Sequence, residues 1–150
     1  MGLKALLSKS FAALVVWRMN RWKRDAVSVQ FLVLQRLVKK ARKTAFGIDH
    51  GFGHIHSYAD FKNRVPLRDY EELRPYIDRV VDGEENVLWP AKPIYFAKTS
   101  GTTSGTKYIP ITKESMPEHI KAARNALLCY IHETGKAEFV GGKMIFLQGS

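Results

Sequence analysis

The sequence predicts an α/β fold in which helices come first and the opening strands of a larger sheet follow. Three observations carry this. Apolar residues between positions 24 and 45 recur at helical spacing. Thr99 to Thr106 contain only Ser, Thr and Gly, and apolar β-type segments flank them: Ile94-Tyr95-Phe96 before, Tyr108-Ile109-Pro110-Ile111 after. Lys143 to Gln148 (Lys-Met-Ile-Phe-Leu-Gln) reads as a buried strand, and about three strands in all are too few to surround it.

Residues 3–22 form the first predicted helix, apolar over much of its surface, with basic residues towards its end. Residues 24–45 form the second. Val27, Phe31, Leu34, Val38, Ala41 and Ala45 fall on one stripe, while Arg24, Ser28, Gln35, Lys39, Arg42 and Lys43 lie off it. A cationic last turn suits the helix C-terminus, and Gly47 is its expected stop. Residues 47–57 are expected to form a loop, followed by a short helix at Tyr58–Asn63 that Val65-Pro66 ends. Asp69 is a candidate N-cap, Pro75 a candidate first residue of a helix over 75–82, and Gly83 its stop. Strands are predicted at 93–97 and 107–111. Thr112 is the predicted cap of a helix running to about 133, with Met116, Ile120, Ala123, Leu127 and Tyr130 as its buried stripe and Gly135 as its end. The chain thus divides into a helical lead, 1–82, and a loop-bearing region, 93–150.

At 150 residues the chain can bury a core. Its single cysteine, Cys129, rules out an internal disulfide, which favours a reducing compartment; flanked by Leu128, Tyr130 and Ile131, it reads as core rather than as a nucleophile. The net charge of +10 is concentrated at the front. The first fifty residues hold eleven Lys or Arg against Asp25 and Asp49, whereas the remainder holds thirteen basic and twelve acidic residues. Phe11 to Trp17 is far shorter than the roughly twenty apolar residues of a membrane helix. Arg18-Met19-Asn20-Arg21 follows it instead of a cleavage site, so a cytoplasmic location is expected, without a transmembrane segment.

The segment 97–111 concentrates the chemistry. A loop with almost no side-chain bulk offers backbone N–H groups, hydroxyls and one cation, Lys107, to whatever it encloses; a phosphate chain has the matching oxygens. It is not a Walker A loop. Three residues separate Gly101 from Gly105, Thr106 intervenes before Lys107, and Tyr108 follows the lysine. A flexible Ser/Gly/Thr linker is the plain alternative, but a linker needs neither closely flanking strands nor a lysine at its exit.

Ser100-Gly101-Thr102-Thr103 with a lysine seven residues after the serine resembles the phosphate loop of acyl-adenylate-forming enzymes. The continuation Lys107-Tyr108-Ile109-Pro110 narrows the resemblance to the Gretchen Hagen three family, the auxin-responsive acyl-acid amido synthetases and their bacterial relatives. Thr44-Ala45-Phe46-Gly47, Phe61, Val65-Pro66, Tyr70-Glu71, Pro75-Tyr76-Ile77, Gly83-Glu84 and Leu88-Trp89-Pro90 follow that family's order and spacing. The likeness covers about residues 30–150. Two departures stand out: Thr99 occupies the first position of the Ser-Ser-Gly-Thr pattern, and Lys107 comes one place earlier than in plant members.

The resemblance implies the N-terminal part of a larger adenylate-forming domain, its sheet incomplete in this chain, and a ligase. In such enzymes a carboxylate attacks the α-phosphate of ATP, pyrophosphate leaves, and an amino acid amine then attacks the acyl-adenylate. It implies ATP and Mg²⁺ as cofactors, and a small carboxylic acid and an amino acid as substrates. Thr99, Ser100, Gly101, Thr102, Thr103, Ser104, Gly105 and Lys107 are then the phosphate-binding residues; no catalytic residue is assigned. The isolated chain is expected to be inactive.

His50, His54 and His56 lie close together, but no Cys or helical His pair joins them, and a packed loop is the expected role; no metal site is predicted. Lys39, Lys40, Arg42 and Lys43 suggest a competing class, a small basic binding module for nucleic acid or an anionic surface. Aromatics are not interleaved with them and no nucleic-acid motif is present, so a solvated helix face is expected and no nucleic-acid partner.

Overall fold

The computed structural model describes residues 3–99 and 105–143. In order, these form α1 (Leu3–Lys23), α2 (Ala26–Ala41), α3 (Ala45–Asp49), a 3₁₀ turn (Phe52–His54), α4 (Tyr58–Arg64), α5 (Tyr70–Val81), β1 (Tyr95–Thr99), β2 (Lys107–Ile111), α6 (Ser115–Thr134) and a second 3₁₀ turn (Glu138–Gly141). The α/β class holds: helices lead, and two antiparallel strands follow. The strand expected at 143–148 falls almost wholly outside the described residues.

The chain divides into two compact units, Met1–Ala26 with Glu118–Ser150, and Val27–Pro117. In the first, Ala5, Ala12 and Val15 of α1 pack with Leu128 and Ile131 of α6 and with Ala137, and Met19 closes the cluster. Positions 5, 12, 15 and 19 make one helical stripe, and its alanines permit close approach. Half-buried Cys129 lies against Met19, with Sγ 3.9 Å from Sδ. The predicted α6 stripe is corrected: Ile120, Leu127 and Tyr130 are exposed, while Leu128 and Ile131 are buried. The helix carries apolar residues on two adjacent faces, and α1 packs on the one rotated by a single position.

The second unit is built around Val38 and Ala41 of α2, Phe52 and Ile55, with Leu34, Phe46, Phe61, Val65 and Trp89 packed against them. Here the expected helix over 24–45 stops at Ala41. The Thr44 N–H and hydroxyl both donate to the Ala41 carbonyl, at 2.9 and 2.8 Å, and turn the chain. The same hydroxyl oxygen accepts from Gly47 N–H and caps α3. Gly47 therefore lies inside a helix and stops none. A Cβ there would come within 2.1 Å of the Ala41 carbonyl oxygen, so the two turns meet only because residue 47 has no side chain. Of the predicted α2 stripe only its C-terminal half is packed; Val27 and Phe31 are exposed. The loop expected over 47–57 in fact holds the end of α3 and a 3₁₀ turn.

Capping boxes open the next two helices, Ser57 with Asp60 for α4 and Asp69 with Glu72 for α5. Pro75 does not start a helix but sits inside α5. It lies on the exposed face, where solvent can meet the Glu71 carbonyl it leaves unpaired. Gly83, at φ 93°, follows the helix as expected. The first strand begins two residues later than expected, after Pro93, although Ile94 N–H already donates to the Ile111 carbonyl at 2.8 Å. Lys107–Ile111 matches its prediction. Thr112 and Ser115 exchange side-chain and backbone hydrogen bonds at the start of α6, and Gly135, at φ 68°, ends it.

Candidate functional site

The strands β1 and β2 pair antiparallel with Tyr95 opposite Ile111, Phe96 opposite Pro110, Ala97 opposite Ile109, Lys98 opposite Tyr108 and Thr99 opposite Lys107. The Ser/Thr/Gly run is therefore the connection of a hairpin, and Thr99 and Lys107 are the pair at its base. Cross-strand partners share a face, and successive residues alternate. Lys98 and Lys107 thus leave the base of the connection on opposite faces.

Aromatic rings position both lysines. The Lys98 ammonium lies 5.5 Å from the Tyr108 ring centroid, and the Lys107 ammonium 5.3 Å from that of Tyr70. Tyr70 opens α5, and its hydroxyl accepts a 2.8 Å hydrogen bond from Tyr108 N–H. That bond ties the hairpin to α5 at the residue beside Lys107. Phe96 packs edge-on to Tyr108, with centroids 6.0 Å apart. Neither lysine has a carboxylate partner among the described residues.

Of the predicted phosphate-binding residues, the structure brings Thr99 and Lys107 together in register, Thr99 exposed and Lys107 half-buried. Gly105 is exposed at φ 79°, with nothing within 4 Å of where a Cβ would stand. Ser100, Gly101, Thr102, Thr103 and Ser104 lie outside the described residues. The base of the hairpin thus carries two cations, on opposite faces and without carboxylate partners among the described residues, and an open left-handed glycine. Sequence reasoning missed Lys98 and Tyr70 at this site. Lys98 adjoins the motif and could have been included; the role of Tyr70, 38 residues before Tyr108, has no local signal.

Side chains around Phe46 are densely engaged. Phe46 stacks on His50 at 4.0 Å and meets Tyr76 edge-on at 5.2 Å. Buried His50 has both ring nitrogens engaged. Arg68 can only donate, so Nε2 accepts from it at 3.0 Å, and Nδ1–H donates to the Phe46 carbonyl at 2.8 Å. Tyr76 donates to Asp49 at 2.7 Å, and burial, then that carboxylate, push its phenol pKa up. His56 contributes its backbone N–H to the α4 cap. Among the described residues no group of three or more His, Cys, Asp or Glu is arranged to hold a metal ion. Magnesium bound with a nucleotide takes one or two carboxylates and draws its other ligands from phosphate and water, so it does not call for a cluster of three.

Residues 16–148 match the family described as "GH3 family N-terminal domain", where GH3 denotes the Gretchen Hagen three family. An indole-3-acetic acid-amido synthetase of Arabidopsis thaliana, GH3.15, is 34% identical over 121 residues, covering 79% of this chain and 20% of its own length. The jasmonoyl–L-amino acid synthetase JAR4 of Nicotiana attenuata is 28% identical over 130 residues, 85% of this chain and 22% of its own. A jasmonoyl–L-amino acid synthetase of Oryza sativa subsp. japonica, GH3.3, is 34% identical over 102 residues, 67% of this chain and 22% of its own. The chain thus spans about a fifth of the length of these curated relatives. Among the described residues no helix is long and apolar enough to cross a membrane.

Proposed function

The chain belongs to the GH3 family, and from that premise we propose that it takes part in ATP-dependent activation of a carboxylic acid followed by amide formation with an amino acid. The relatives' names carry the amide-forming half: one is an indole-3-acetic acid-amido synthetase and two are jasmonoyl–L-amino acid synthetases. The adenylation half rests on the hairpin. Its single strongest support is the pairing of Thr99 with Lys107 at the base of the Ser/Thr/Gly connection, where Lys107 has no carboxylate partner among the described residues.

In this reading the residues from Thr99 to Lys107 hold the phosphates of ATP. Adenylation asks little covalent work of the protein: it must keep the phosphates in line and offset charge as it gathers on the leaving pyrophosphate. Gly105 presents a backbone N–H, Thr99 a hydroxyl, and Lys107 a positive charge whose direction the Tyr70 ring sets. Magnesium, bound with the nucleotide, supplies further charge neutralisation. The acyl acid, the amine and the location of the enzyme in a cytoplasmic compartment belong to the same proposal.

Acid-dependent exchange of pyrophosphate into ATP by the whole protein tests it. Lys107→Ala is expected to lower exchange at least about a hundredfold, the scale of losing one positioned charge at the reacting phosphates. Unchanged exchange would remove the phosphate-binding role.

A further inference from the structure

A basic cleft stands apart in sequence from the hairpin motif. The turn between α2 and α3 borders a cavity of about 490 Å³ whose lining includes Lys39, Lys40, Arg42, Lys43, Thr44 and Asn86, and no carboxylate. We propose that this cavity binds a soluble ligand carrying two or more phosphate groups, whichever way the hairpin reading is decided.

The charge pattern is the first support. The carbonyl end of α2 accounts for basic residues in its last turn, Lys39 and Lys40. It does not account for Arg42 and Lys43, which lie beyond the helix. Lys40 is already neutralised by Glu114, which also accepts from the Trp89 indole. Lys39, Arg42 and Lys43 have no carboxylate partner among the described residues. Three like charges crowded into five positions repel one another, and an anion of matching charge relieves that repulsion. Arginine also offers a planar fork suited to phosphate oxygens.

The rigidity of the walls is the second. Thr44 is almost fully buried and bonded on both sides of the turn, and Gly47 locks the turn against the Ala41 carbonyl. Opposite stands Asn86, at φ 59°, with Ala91 at φ 64° closing the same loop. These left-handed residues are held in place: Asn86 O accepts from Ala45 N–H at 2.8 Å, Val87 O accepts from Phe46 N–H at 3.0 Å, and Asn86 Oδ1 accepts from Ala91 N–H at 2.9 Å. With Oδ1 committed, the amide nitrogen of Asn86 keeps two donors for a ligand. The cleft is half open and large enough for a short phosphate chain.

The test is calorimetric titration of the whole protein with inorganic tripolyphosphate at constant ionic strength, with amide NMR of residues 39–44 and 86. Shifts in those amides are expected to saturate, independently of any binding at the hairpin. Arg42→Gln/Lys43→Gln should weaken the affinity read from them at least about tenfold, the scale of losing charged contacts, while Lys62→Gln should leave it intact. Shifts in those amides that Arg42→Gln/Lys43→Gln leaves unchanged would overturn the proposal. So would the same amide shifts from sodium chloride at matched ionic strength, which would mean screening alone. Capture by vesicles containing phosphatidic acid without tripolyphosphate binding would overturn the soluble ligand.

Discussion

Residues 44–89 and the β1–β2 hairpin are held in contrasting ways. In the former, turn after turn is fixed by backbone: Thr44 to Ala41, Gly47 against Ala41, Asn86 and Val87 to Ala45 and Phe46. Val87 is 1% exposed and Thr44 likewise. The hairpin is mostly exposed along β1, and side chains at its base tie it to α5: the hydroxyl of Tyr70 and the lysines lying over tyrosine rings. The difference separates two jobs. A scaffold that must not move is locked through groups that cannot rotate away. The hairpin base, proposed to receive phosphate groups, is anchored instead by side chains.

Three substitutions test that contrast. The largest effect is expected from Gly47→Ala. Its new Cβ would meet the backbone carbonyl of Ala41, which no rotamer change relieves, so a loss of about 3 kcal/mol is expected. Urea unfolding reads it as a lowered midpoint, and an unchanged midpoint would mean the scaffold is not locked there. Tyr70→Phe comes next. It deletes the acceptor of Tyr108 N–H while keeping the ring beneath Lys107. A loss of about 1 kcal/mol is expected, with amide exchange quickened at Tyr108 but not at Val87. Equal quickening at both positions would erase the distinction.

Acid is expected to have the smallest effect. The Asp60 carboxyl is held below its ordinary range, first by the His56 backbone N–H and then by Ser57. Its folded value is below its unfolded one, so the stabilisation is complete above about pH 4 and is lost as pH falls through the folded value. Urea midpoints measured between pH 3 and 6 should fall on the acid side, and Asp60→Asn should flatten that fall. A variant as acid-sensitive as the parent would assign the effect to other carboxylates, such as Glu84 beside Arg79.

The two strands and the loop between them were legible in the sequence, though not their antiparallel pairing, because the signals are local: a run of small residues between two β-type segments, and a lysine at its exit. Capping was legible at Asp69 for the same reason, as was the stop at Gly83. Other features depend on residues far apart in the chain. Gly47 reads as a helix stop until Ala41 is seen pressing on it, and Pro75 reads as a helix start until the Asp69–Glu72 box is seen to begin α5 earlier. In α6 periodicity pointed to the stripe through Leu127 and Tyr130, whereas packing on α1 selected Leu128 and Ile131, one position on. At the candidate site, Lys107 was readable from its motif, whereas the ring that orients it comes from Tyr70 in another element.

The central claim is that the hairpin receives phosphate groups. Amide spectra of the whole protein with ATP and, separately, with adenosine test it most directly. ATP should shift the amides of Gly105, Thr106 and Lys107, and adenosine should leave them in place. Equal shifts with adenosine, or none with ATP, would contradict the account.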